Sequence, residues 1–341
     1  MTMKPHHIVA IEAIHCPTPP FSIPHTLTIH NWSDEATLPT RIHPANIIIT
    51  TTIRLSASLL DPAVTPHLQL IVIMATGTDC VDKAAAAARG ITVCNCPGTN
   101  VESVSEHALG LYFATRRKLV ELSVATRDVD VDVPGLEGQG RDSEWKMKGS
   151  LRGRVGTPPL TCCDETVGII GYGAVGKRIH TLARALGMNV LVAERKDTTT
   201  PPRPGRTSFQ ETLRNSTVLI LCLPRSPETL NLISTPEFQT MATSSPQTIL
   251  INVARGGIVD EQALLDALKG GFIAGAATDV YAIEPAGRGD SPLLSPEADG
   301  LNLVLTPHLA WLAERTLRNL QDSVKGVVEG WYRGEVVNVV N

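Results

Sequence analysis

TVGIIGYGAVG, residues 166–176, decides how the rest of the chain is read. Thr166–Ile170 is β-branched and apolar, the composition of a buried strand, and it breaks at once into Gly171, Gly173 and Gly176 at GxGxxG spacing. Beyond Gly176 the apolar residues Ile179, Leu182, Ala183, Ala185 and Leu186 keep helical spacing as far as Gly187, which is placed as a C′ residue. A second apolar run, Val190–Ala193, ends in Glu194. Strand, glycine turn, helix and second strand together make a βαβ unit that binds a dinucleotide. In it Gly171 permits the tight turn, Gly173 admits the pyrophosphate, and Gly176 lets helix and strand approach. The helix start offers unpaired N–H groups and the positive end of its dipole to the phosphates. Glu194, 18 residues past Gly176, is placed to accept the two ribose hydroxyls of adenosine. A tight turn of no function is the competing reading of GxGxxG alone, and the complete unit disfavours it.

A length of 341 residues points to two domains, each able to bury a core. The net charge of −4, with no block of like charges, indicates no nucleic-acid partner. No apolar stretch approaches the roughly 18 residues needed to span a bilayer. The start, MTMKPHHIVA, lacks the apolar core of a signal peptide. A cytoplasmic protein without a membrane partner is the expectation. The seven cysteines, Cys16, Cys80, Cys94, Cys96, Cys162, Cys163 and Cys222, lack the spacing of a zinc site; buried reduced thiols and no metal are expected.

Up to about residue 103 the chain alternates strand-like runs, His7–Ile14, Ala45–Thr52, Leu70–Met74 and Ile91–Cys94, with an alanine-rich helix over Val81–Arg89. Such alternation predicts a parallel α/β unit with right-handed crossovers. The helical pattern Val101–Arg117 is expected to bridge the domains, with Ser103, Ser105 and Glu106 facing cofactor or solvent. Residues 121–165 form the least regular stretch, with Asp128–Asp132 alternating acid and valine, Pro158-Pro159, and Trp145 as the large aromatic. After Glu194 the runs Val218–Leu223, Thr248–Val253, Ala274–Asp279 and Leu303–Thr306 bring the strand count from Thr166 to six, the number of a doubly wound sheet. Its ligand lies at the carboxyl ends of the strands, where Glu194, Pro224, Arg255, Asp279 and His308 stand.

Arg255, followed by Gly256 and Gly257, carries a permanent charge that forks onto carboxylates, so an acidic substrate is indicated. A surface arginine at a strand end is the competing reading. Glu284 and His308 are separated in sequence, and nothing in the sequence places them in contact. If they meet, the carboxylate keeps the imidazole protonated and able to give a proton to a forming alkoxide.

Six stretches, ATGTDCVD (75–82), GITVCNCPGTNVESVSEHAL (90–109), GIIGYGAVGKRI (168–179), INVARGGIVDEQAL (251–264), GAATDVYAIEP (275–285) and LTPHLAW (305–311), resemble the successive signatures of the D-isomer-specific 2-hydroxyacid dehydrogenases. They run in that family's order over nearly the whole chain. The resemblance implies an α/β fold of two Rossmann-like or flavodoxin-like domains with parallel sheets and an active site in the interdomain cleft. It divides the chain into a substrate-binding domain of residues 1–103 and 309–341 and an NAD-binding Rossmann domain of residues 104–308. It also implies a catalytic set of Arg255, Glu284 and His308. Arg255 would bind the carboxylate and polarise the ketone, His308, supported by Glu284, would donate the proton, and backbone N–H groups near Thr76 and Gly77 would take the carboxylate. The dinucleotide would lie against Gly171, Gly173, Ala174, Val175, Gly176, Glu194, Arg195, Leu223, Pro224, Val253, Ala254, Asp279 and His308, with Asp279 on the nicotinamide carboxamide. A homodimer is implied too, with residues 121–165 as its arm. Ala174-Val175 departs from the Arg-Ile often found in the motif, Ser105 stands where alanine is common, and the stretch from Trp145 to Thr166 is long for the family.

Glu194 would repel a 2′-phosphate, whereas Arg195 and Lys196 would attract one; the direct ribose contact favours NAD over NADP. Trp311, three residues after His308, is similar to the family's glycerate dehydrogenases and hydroxypyruvate/glyoxylate reductases, so a small C2–C3 2-oxo acid is expected. Formate dehydrogenases of the superfamily carry Gln where Glu284 stands. The second function class is an NAD(H)-binding corepressor-like scaffold of the same fold, disfavoured here by the lack of an unstructured recruiting tail.

Overall fold

The computed structural model describes residues 5–127, 151, 158–198, 200–244 and 247–341. The chain forms two compact units, Met1–Asn100 with Leu312–Asn341, and Val101–Trp311. These boundaries stand at 100/101 and 311/312, against the expected 103/104 and 308/309. Local structure accounts for the difference, because Val101 opens a helix and the Trp311 indole N–H donates to the His308 carbonyl at 3.0 Å.

The first unit contains β1 (His6–Ala10), β2 (His25–Ile29), α1 (Leu38–Ile42), β3 (Ile47–Thr50), β4 (Leu70–Ile73), α2 (Lys83–Ala88) and β5 (Thr92–Asn95). Its five parallel strands lie in the order β2-β1-β3-β4-β5, the flavodoxin-like order. β3 and β4 are buried at every residue, as sheets covered on both faces require. β2 was not expected from the sequence: HTLTI alternates threonine with apolar residues on a largely exposed edge, so it shows no apolar run. The strand expected over His7–Ile14 is β1 and stops at Ala10.

Just past β1, Glu12 is 3% exposed. Its carboxylate accepts from the Thr50 hydroxyl at 2.8 Å, the N–H groups of Thr52 and Ile53 at 2.6 and 2.9 Å, and the Thr51 N–H. Burial works to raise its pKa, but hydrogen bonds from His15, the backbone and Thr52 pull it from 4.5 down to about 2. The depressed value means that Glu12 contributes stability above pH 4.5 and loses it as pH falls towards about 2. We expect Glu12→Gln to destabilise the protein by about 3 kcal/mol at neutral pH. The deficit should shrink below pH 4.5 and vanish near pH 2 in urea unfolding series. A deficit independent of pH would show that the charge is not what stabilises the loop.

The C-terminal helix Glu314–Arg333 belongs to this unit and buries Thr316, Leu320, Val324, Val327 and Val328, a stripe of helical period. The last residues then cover the edge of β5, with Asn95 N–H on the Asn338 carbonyl at 3.1 Å and Val340 N–H on the Val93 carbonyl at 2.9 Å.

The second unit contains α3 (Val101–Arg116), α4 (Leu119–Arg127), β6 (Thr166–Ile170), α5 (Ala174–Ala185), β7 (Asn189–Val192), α6 (Phe209–Asn215), β8 (Val218–Leu221), α7 (Thr235–Ser244), β9 (Ile249–Asn252), α8 (Glu261–Gly270), β10 (Gly275–Thr278) and β11 (Leu303–Leu305). The six strands are parallel in the order β11-β10-β9-β8-β6-β7. The chain goes from β6 outward to β7 and then crosses back to β8, so the order reverses between β6 and β8, where open α/β sheets bind ligands. A single bridge, Ala193 to Thr207, extends the sheet beyond β7. Alternate residues of each strand face opposite ways. Leu219, Leu221 and Leu250 enter one core with Phe209, Phe238 and Leu264. Val218, Ile220, Ile249 and Ile251 enter the other with Val104, Ala108, Leu111 and Ile179.

α3, expected as the bridge between domains, packs into the second unit's core. Ser105 is fully buried and donates to the Val101 carbonyl at 2.7 Å, so it faces neither cofactor nor solvent. Of the stretch expected to be irregular, residues 121–127 lie in α4 and Cys162–Asp164 form a 3-10 turn. Asp128–Asp132 and Trp145 lie outside the described residues, as does most of the expected dimer arm. All seven cysteines are free, but burial is not general: Cys16, Cys94 and Cys96 are buried, whereas Cys163 is exposed. No helix among the described residues is long and apolar enough to cross a membrane.

Candidate active site

β6 runs into Gly171 at φ +99°, where a Cβ would stand 2.5 Å from the Cys222 carbonyl oxygen at the end of β8. Gly176, one turn into α5, packs so closely that its Cβ would meet the Gly171 oxygen at 2.2 Å. The two glycines let the turn close against β8 and the helix against the turn. Gly173 is the N-cap residue of α5, no side chain caps the helix, and no atom lies within 4 Å of where its Cβ would be. The first N–H groups of α5, at Ala174, Val175 and Gly176, therefore head an open approach, which is what a pyrophosphate requires. The residues present fit a dinucleotide.

Glu194, 6% exposed, ends the next strand. Its carboxylate is not open as expected: it is forked by Arg203, with Nη2 to Oε1 at 2.6 Å and Nε to Oε2 at 2.7 Å, and also accepts the Arg195 N–H at 3.0 Å. The Arg203 side chain, ahead of the backbone bonds, pulls Glu194 down to about 2. Arg206 lies over the Tyr172 ring of the glycine motif, 4.8 Å from its centroid, and donates to the Ala193 carbonyl at 3.2 Å. Neither arginine was singled out from sequence. Both follow the second strand within PPRPGR, a loop composition that gives no spatial signal.

The ends of β8 and β9 carry Leu223 and Pro224, and Val253 and Ala254; Val253 and Ala254 are buried, and the Pro224 carbonyl accepts the Thr229 hydroxyl at 3.0 Å. Arg255 follows, its Nη1 donating to the Ala254 carbonyl at 2.8 Å. The next residue packs too tightly for any side chain, since a Cβ on Gly256 would fall 1.6 Å from the Tyr281 oxygen. That contact ties the Arg255 loop to the segment leading to Glu284.

Glu284 and His308, 24 residues apart, meet: Nδ1 of His308 is 2.6 Å from Glu284 Oε2, while Glu284 Oε1 accepts the Tyr281 N–H at 2.8 Å. Burial pushes the Glu284 pKa up, but the His308 hydrogen bond and charge, the Tyr281 N–H and the Arg255 charge together hold it below its ordinary value. The three expected catalytic side chains thus belong to one electrostatic group. Their side chains stay accessible, with His308 at 38% and Glu284 at 32% exposure.

His308 adopts φ +55°, a left-handed conformation that costs a residue other than glycine energy unless its surroundings impose it. Asp279, 1% exposed at the end of β10, supplies that constraint. It accepts the N–H groups of Leu309 and Ala310 at 3.0 and 2.9 Å and the Thr306 hydroxyl at 2.6 Å, bracketing His308, with His107 Nε2 3.6 Å away. Asp279, expected on the nicotinamide carboxamide, here also holds the histidine's turn. Thr76 and Gly77 belong to the first unit, after β4, where Thr76 Oγ1 bonds the Cys96 carbonyl and Asn100 Oδ1 at 3.4 and 3.3 Å.

A family profile described as "D-isomer specific 2-hydroxyacid dehydrogenase, NAD binding domain" matches residues 133–310. A glycerate dehydrogenase of Methylorubrum extorquens is 38% identical over 322 residues, 94% of this chain and 93% of that one. The chain belongs to the D-isomer-specific 2-hydroxyacid dehydrogenase family. This family membership makes it an oxidoreductase with a nicotinamide dinucleotide-binding domain. A glyoxylate reductase of Thermococcus gammatolerans is 30% identical, over 85% of this chain and 84% of that one. Among solved structures, an NADPH-dependent glyoxylate/hydroxypyruvate reductase of Sinorhizobium meliloti, in complex with NADP and malonate, superposes with a TM-score of 0.73 at 26% identity, covering 99% of this chain and 97% of that one. The 2-hydroxyacid dehydrogenase fold seen in these proteins is the two-sheet α/β architecture described above.

Proposed function

We propose that the protein interconverts a small 2-oxo acid, hydroxypyruvate or glyoxylate, and the D-2-hydroxy acid. The observation that carries the reading is the 2.6 Å His308–Glu284 pair, within reach of the Arg255 charge, at the strand ends of the dinucleotide-binding unit. When bound, the reduced nicotinamide supplies the hydride. Glu284 fixes the proton of His308 on Nδ1, which leaves Nε2 to hold the proton that goes to the carbonyl oxygen as it becomes an alkoxide. Arg255 binds the substrate carboxylate and polarises the carbonyl with its fork, and charge placed where charge develops is worth several kcal/mol of barrier. Asp279 holds the His308 turn and spends its remaining acceptor capacity on the carboxamide.

For the cofactor we favour NAD, on Glu194 at the ribose. The choice of a C2–C3 acid rests on Trp311, whose indole fixes the His308 carbonyl, and is supported by the glycerate dehydrogenase and glyoxylate reductase relatives.

NADH oxidation measured against hydroxypyruvate, glyoxylate, pyruvate and longer oxo acids tests this. The highest kcat/KM is expected with hydroxypyruvate or glyoxylate. Preference for a branched or long acid would overturn the substrate assignment, and no turnover on any would transfer the protein to the scaffold class.

A further inference from the structure

Two side chains of α3 reach the turn that carries His308. Ser103 and His107 stand four residues apart in this helix and so share a face. Ser103, 9% exposed, donates its hydroxyl to the Trp311 carbonyl at 3.1 Å, and His107 Nε2 lies 3.0 Å from Thr306 Oγ1. The contacts bracket His308, one falling two residues before it and the other three residues after.

The direction of the His107 contact follows from the protons available. A hydroxyl has one proton to give, and a carboxylate oxygen only accepts. Thr306 gives its proton to Asp279 Oδ1 at 2.6 Å, so its oxygen receives one from His107, whose Nε2 carries a hydrogen. Asp279 in turn accepts the N–H groups of Leu309 and Ala310. An ordered chain of donors therefore runs from α3 through Thr306 and Asp279 to the backbone on the far side of His308. Asp279 is 1% exposed and draws its donors from the protein. Without the His107 proton the Thr306 hydroxyl is free to rotate, and the carboxylate is no longer assured of that donor. His308 depends on this support, because φ +55° is held only by its surroundings. A general acid has to stay within hydrogen-bond reach of the oxygen it protonates, and misplacement by about 1 Å costs on the order of 10²-fold.

We propose that His107 is a positioning residue for the reaction: by donating to Thr306 it fixes Asp279, and through Asp279 it sets the direction of the His308 imidazole, while Ser103 holds the other end of the turn. This inference deepens the dehydrogenase reading and rests on it.

Histidine NMR on the isotope-labelled full chain, together with steady-state kinetics on hydroxypyruvate and glyoxylate, tests it. His107→Phe keeps a ring of similar size without the proton, and His107→Gln restores an N–H close to the place of Nε2. In wild type the His107 ring is expected to carry a proton on Nε2. His107→Phe should move the His308 ring signals and lower kcat roughly ten- to a hundredfold. The KM for the oxo acid should change little, because Arg255 stands at the end of a different strand, β9. His107→Gln should return both the signals and kcat towards wild type. Thr306→Val breaks the same link and replaces the phenylalanine variant if that one melts early. An Nε2 without hydrogen, His308 signals unmoved in His107→Phe, or a loss of turnover that glutamine does not rescue overturns the role of His107 and leaves the dehydrogenase reading intact. A wild type that turns over no oxo acid sinks that reading instead, while the His308 signals still decide the link.

Discussion

His308→Ala is expected to lower turnover by about 10²- to 10⁴-fold, the range of a positioned general acid, while the Kd for NADH changes little. The asymmetry follows from when the proton is needed. Before the carbonyl oxygen gains negative charge, an acid beside it contributes little, so ground-state binding of the dinucleotide does not depend on the imidazole. The geometry supports the assignment on two counts. Glu284 sits 2.6 Å from Nδ1 and is held below its ordinary pKa, so the carboxylate stays charged through the neutral range. Asp279 anchors both residues after His308, so truncating the side chain leaves the turn's hydrogen bonds in place. Stopped-flow single turnovers alongside fluorescence titration of NADH separate the two quantities. Equal losses in both would make His308 a structural residue and remove it from the chemistry.

Arg255→Lys is expected to lower kcat/KM for the oxo acid on the order of 10- to 100-fold, with a much smaller change in NADH affinity. Lysine conserves the charge, so the loss measures the fork alone. An ammonium is a point donor and cannot hold a carboxylate and a carbonyl together in one plane. The flanking glycine strengthens the expectation: the backbone at Gly256 is pressed against Tyr281, leaving the shorter lysine no freedom to recover the geometry by moving the loop. A specificity constant unaltered by the substitution would take Arg255 out of the site.

Much of the architecture was readable because parallel strands covered on both faces carry continuous apolar runs. The strands β3, β4, β6, β8, β9, β10 and β11 all stand where those runs were seen. β2 escaped because an exposed edge strand has no such run, and its threonines satisfy a period that a loop shares. Catalytic candidates were found by position, at strand ends, and by resemblance to family signatures; neither route measures a distance.

From residues alone came the βαβ unit, the two-domain division and the types of side chain gathered at the strand ends, since periodicity and glycine spacing are local properties of the chain. Tertiary structure decided which of those side chains meet. It brought Glu284 to His308 across 24 residues, set Asp279 to support a left-handed histidine, and placed Arg203 on Glu194. The first two arise where separate strands end side by side, and hydrogen bonds between such ends depend on sheet order and register, which no local pattern encodes; the third forms within one loop whose composition gives no spatial signal.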